Sequence, residues 1–138
     1  MSLAGVVPGA RLIRTSPNTG AFLNDLNDAI DKVVGEGMDY AIVPDVAGHW
    51  VKSIQANPLP IDWGQGVELS TPQLVARVVD SIAESRDRQM VIVQKVRAAL
   101  LPAGFIELTA EDDYYAVVAF VRNHLAKVGG TRYFDIYR

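Results

Sequence analysis

The chain has 138 residues, 49% of them hydrophobic and 21% charged, enough for one domain with its own buried core. A net charge of −3 gives no electrostatic drive towards nucleic acid or an anionic membrane surface, so neither is expected as a partner. With no cysteine in the chain, disulfides, thiolate metal sites and cysteine nucleophiles are excluded.

Residues 1–18 hold Gly5, Pro8, Gly9 and Pro17 around the short apolar pair Leu12 and Ile13. This composition predicts an extended N-terminal arm with at most one short strand near 11–15. Ordering such an arm costs about 1 to 2 kcal/mol of backbone entropy per residue. It therefore needs a surface to lie on, either its own domain or a neighbouring subunit. Residues 19–138 are expected to form a single α+β domain.

The spacing of Phe22, Leu23, Leu26, Ile30, Val33 and Val34 predicts an amphipathic helix over 19–35. Asp25, Asp28 and Asp31 fall on its opposite face, where acidic residues are ordinarily solvated. Two strands are expected next, 39–43 and 49–55, joined by the loop Pro44-Asp45-Val46-Ala47-Gly48. Residues 57–66 form an irregular stretch with two prolines, two glycines and Trp63. That indole either covers the core or anchors a partner.

Thr71 and Pro72 are a helix cap and a first-turn proline, and neither glycine nor proline interrupts 73–101. Leu74, Val75, Val78, Val79 and Ile82 share one helical face, and Met90, Val93, Val96 and Leu100 resume it after a polar gap. The pattern predicts one long central helix over 71–101, about 45 Å at ~1.5 Å per residue. The rival is a turn at 85–88 followed by a strand, because Met90 to Val93 is also the mark of a buried strand. Glu84 and Arg88, paired at i, i+4, favour the helix.

Beyond it, a strand is expected at 105–108, then a helix opened by Thr109 and Asp112 and ended by Gly129. An alternating strand over 131–138 closes the chain, with Tyr133, Asp135 and Tyr137 on one side. The expected architecture is a small sheet packed against three helices. The element order is close to that of a split βαβ ferredoxin-like domain, which bears on fold and not on function.

Asp45 and His49, four residues apart beside Trp50, are the candidate catalytic pair, since a carboxylate can orient an imidazole into a general base. No nucleophile motif, phosphate-binding glycine fingerprint or zinc-binding helix motif accompanies them. A turn aspartate and a hydrogen-bonded histidine are the structural alternative. No metal site or cofactor is expected. Candidate binding residues are Trp50, Trp63, Leu12, Ile13, Tyr133 and Tyr137.

The start of the chain lacks a basic segment before an apolar run, and no stretch reaches about 18 apolar residues. The expectation is a cytoplasmic protein, or one within a particle assembled in the cytoplasm, not exported by a signal peptide. Two functions fit these residues. The first is a non-catalytic structural or assembly subunit, a homo-oligomer or a partner of other protein subunits, with a virion as one such particle. The second is a small enzyme or ligand-binding domain with its site around the 44–50 loop.

Overall fold

In the computed structural model, residues 1–7, 9–44, 46–51, 53–62, 64, 67–96 and 116–138 are described. They form three helices and a four-stranded mixed sheet, an α+β fold. The elements run α1 (Pro17–Gly35), β1 (Asp39–Val43), α2 (Pro72–Ser85), β2 (Gln89–Gln94), α3 (Ala116–His124), β3 (Lys127–Gly130) and β4 (Phe134–Tyr137). The strand order across the sheet is β1-β2-β4-β3.

Helix α1 begins two residues before the expected start, because Pro17 occupies its first turn and Ser16 caps it. The Ser16 hydroxyl accepts a hydrogen bond from the Thr19 amide at 3.1 Å, supplying a partner to an otherwise orphaned donor. Gly37, at φ 73°, takes the left-handed conformation that turns the chain towards β1. Ser16→Ala is expected to lower the unfolding free energy by about 1 kcal/mol. Urea denaturation checks this, and an unchanged midpoint would remove the cap from the account.

The long central helix is not present. Helix α2 stops at Ser85, residues 86–88 turn, and Gln89–Gln94 forms a strand. The reason is burial on two sides. β2 lies between β1, parallel to it, and β4, antiparallel to it, and every one of its residues is buried. An amphipathic helix buries one stripe, whereas an interior strand with both faces covered reads as an unbroken apolar run. Met90 and Ile92 face one layer while Val91 and Val93 face the other.

The split βαβ order is also overturned, since β1 and β2 are direct neighbours in register from Asp39↔Gln89 to Val43↔Val93. They form an ordinary βαβ crossover through α2. Among the described residues of 49–55 the expected strand is absent, and Ala47–His49 is instead one turn of 3-10 helix. The expected strand at 105–108 and the Thr109–Asp112 cap lie outside the described residues. Helix α3 ends at His124 rather than Gly129, because Lys127–Gly130 pairs with β4 as a hairpin. Gly130 is needed there for close approach. A Cβ at that position would lie 2.9 Å from the Phe134 carbonyl oxygen.

Two apolar cores lie on the two faces of the sheet. Phe22, Leu26, Ala29 and Val33 of α1 pack on Tyr40, Ile42, Met90, Ile92, Phe134 and Ile136. On the other face, α2 and α3 bring Val78, Ile82, Val117, Val118 and Val121 against Ala41, Val43, Val91, Val93 and Tyr137. Among the described residues no helix is long and apolar enough to cross a membrane.

Residues 1–7 and 9–16 fold back on themselves. Ser2 bridges Arg14, the Leu3 amide donates to the Ile13 carbonyl at 3.0 Å, and the Thr15 amide donates to Met1 at 2.9 Å. This ribbon docks on α1, where the Asn27 side-chain amide donates to the Val6 carbonyl at 2.7 Å. Leu3 and Ala10 are buried, while Leu12 is 94% exposed and Ile13 56%.

Candidate functional site

Tyr40, in β1, organises the segment 46–55 that follows its strand. Its ring stacks on Trp50, with centroids 5.5 Å apart and planes at 18°, and meets His49 edge-on at 5.7 Å. His49 in turn stands edge-on to Trp50 at 5.0 Å. The Tyr40 hydroxyl lies 2.9 Å from His49 Nε2 and 3.2 Å from Ser53 Oγ. The Gln55 side-chain amide meets the Tyr40 backbone at both groups, accepting from its N–H at 3.3 Å and donating to its carbonyl at 2.6 Å. A buried tyrosine needs a partner for its hydroxyl, and here that need shapes the loop.

Among the described residues, two cavities meet at this loop. An outer groove of about 560 Å³ is lined by Asn27, Ile30, Asp31 and Val34 of α1 and by Tyr40, His49, Ser53, Ile54 and Gln55. An inner cavity of about 230 Å³ lies under the N-terminal ribbon, between Val6, Val7, α1 and residues Val46, Gly48 and His49. Asn27 and His49 line both.

Of the residues named from sequence, His49 and Trp50 belong to this site. His49 is held by the Tyr40 hydroxyl. Asp45 and Trp63 lie outside the described residues. Leu12 and Ile13 sit on the exposed side of the N-terminal ribbon. Tyr133 and Tyr137, read as candidate contact residues, are each only 7% exposed and lie in opposite cores. The strand that carries Tyr137 is interior rather than a sheet edge. Tyr40, Asn27, Ser53 and Gln55 were not singled out by the sequence. The one available signal was a hydroxyl-bearing ring beside the apolar run 41–43.

Among the described residues no group of three His, Asp or Glu side chains converges as a metal site would require. Away from the loop, Asp135 is buried between Lys127, at 2.8 Å, and Lys95, at 3.5 Å. Its short contact with Lys127 raises that ammonium above the ordinary lysine value.

Burial pushes the His49 imidazole below the usual histidine value of 6.5. The unfolded chain therefore protonates this ring at a higher pH than the folded chain does. The ring's contribution to stability is present above about pH 6.5 and is lost as pH falls through the folded value. The stability gap between wild type and His49→Gln is accordingly expected to narrow from about pH 7.5 to about pH 5. Denaturant titrations at the two pH values check this, and a gap independent of pH would contradict it.

No protein-family model, curated protein or solved structure matches the chain.

Proposed function

We propose that the chain is a non-catalytic assembly subunit that associates with copies of itself through the outer groove. The observation that carries this reading is the presentation of Ile54. Its side chain is fully exposed, yet both neighbours are tied to Tyr40, Ser53 through the hydroxyl and Gln55 through the backbone. A free loop would pay entropy on being ordered in a contact, whereas this one is already held. Val34, also exposed, shares the groove with Ile54, so two aliphatic side chains flank one concave surface. Burying a full isoleucine gains about 1.5 to 3 kcal/mol, enough to make it the anchor of an interface. Leu12 and Ile13 on the ribbon supply a second apolar contact. A particle built from many such chains, as in a virion, is the setting this reading implies.

Size-exclusion chromatography with light scattering tests it. The wild-type chain is expected at a multiple of its 15.0 kDa mass. Ile54→Asp should weaken association by about 30-fold, the equivalent of roughly 2 kcal/mol at an anchor position. A wild-type chain that stays monomeric at every concentration reached would overturn the reading.

A further inference from the structure

We propose that the inner cavity is a binding site for a small, uncharged, largely apolar ring compound carrying one hydrogen-bonding group. This site adjoins the assembly surface, sharing Asn27 and His49 with it, but has its own apolar walls. Its walls are Val6, Val7, Leu23, Leu26 and Val46, with no charged side chain among the described lining residues. A charged ligand would lose its hydration there without gaining a counter-charge, so the walls select neutral molecules.

Two polar groups break this apolar lining. Asn27 uses its amide nitrogen on Val6, and His49 uses Nε2 on Tyr40. Among the described residues, Asn27 Oδ1 and His49 Nδ1 form no hydrogen bond. An apolar chamber with a few polar groups on its walls is the usual composition of a small-molecule site. The chamber also sits beyond the carboxyl end of β1, where the loop after a parallel strand commonly receives ligands.

Size sets the ligand class further. An apolar cavity of about 150 Å³ holds one benzene ring. The 230 Å³ here suits a fused bicyclic or a substituted single ring. His49 lines the outer groove as well, so a ligand reaching the chamber from that side passes the imidazole.

The test is a titration of the full chain with indole, toluene and benzoate, followed residue by residue by proton–nitrogen NMR. Indole is expected to give saturable shifts confined to Val6, Val7, Leu23, Leu26, Asn27, Val46, Gly48 and His49. Toluene, lacking the N–H, should bind about ten-fold more weakly, the worth of one hydrogen bond. Benzoate should not bind. Val46→Phe, which adds bulk to the chamber, should abolish the indole shifts while the rest of the spectrum is retained. The wild-type map stands without this variant should it fail to fold. Absence of saturable indole shifts, or shifts centred elsewhere, overturns the site. Benzoate binding as tightly as indole overturns the neutral class, and toluene doing so overturns the polar contact.

Discussion

Phe134→Ala is expected to lower the unfolding free energy by about 3 to 5 kcal/mol, the largest effect of any single substitution considered for this chain. Phe134 has no exposed surface and lies in β4 beneath α1, its ring 4.9 Å from that of Phe22. Truncation removes the ring's transfer energy and leaves a void that a sheet hydrogen-bonded on both sides cannot collapse to fill. Domains of this size have about 5 to 15 kcal/mol in total, so the variant would be marginal at room temperature. Urea denaturation measures it. A loss under about 1 kcal/mol would mean that α1 does not pack on β4.

Asp25→Ala is expected to cost about 3 kcal/mol, or roughly 10 °C in melting temperature. The Asp25 carboxylate accepts three hydrogen bonds from the turn between β3 and β4. One oxygen receives the Thr131 hydroxyl and the Tyr133 amide, both at 2.7 Å, and the other receives the Arg132 amide at 3.2 Å. Alanine would remove the acceptor of all three bonds and release the hairpin from α1, and bonds to a charged acceptor are the stronger kind. Asp25→Asn can still offer one oxygen to Thr131 and Tyr133, so it should cost less than half as much. Thermal unfolding followed by circular dichroism separates the two variants, and equal losses would contradict this account.

Asp25 also shows where the sequence stops being informative. Its position on the polar face of α1 is readable from periodicity, and such a residue is ordinarily solvated. Its partners stand more than a hundred residues along the chain, and no local pattern announces them. The apolar stripe of α1 was legible because helical periods are local, whereas its Ser16 cap and first-turn Pro17 were read as part of the arm. The start of α2 at Thr71 and Pro72 was legible for the same reason. β2 was not, because its run from Met90 to Val93 satisfies a helical face and a buried strand equally. Only the presence of β1 and β4 on either side decides between them. At the site, His49 and Trp50 stood out as rare residue types in one loop. Tyr40, Ser53 and Gln55 act through hydrogen bonds across nine to fifteen positions, a distance at which sequence pattern is silent.

The Gln55 amide on Tyr40 has a consequence for how this sheet can meet other chains. In a parallel pair, alternate residues point their peptide groups away from the partner strand. The Asp39 amide donates to Arg88, so Tyr40, Ile42 and Pro44 are the residues of the β1 side that face outwards. Gln55 occupies the first, and the Gly64 amide donates to the Pro44 carbonyl at 2.7 Å, while proline itself has no donor to offer. Among the described residues only Ile42 is left between two stoppers, too short a stretch to template an added strand. A sheet closed on one flank can lend at most its opposite flank to a neighbour. Strand-to-strand pairing between copies through the β1 flank is therefore blocked, and a fibre that needs both flanks of this sheet cannot form.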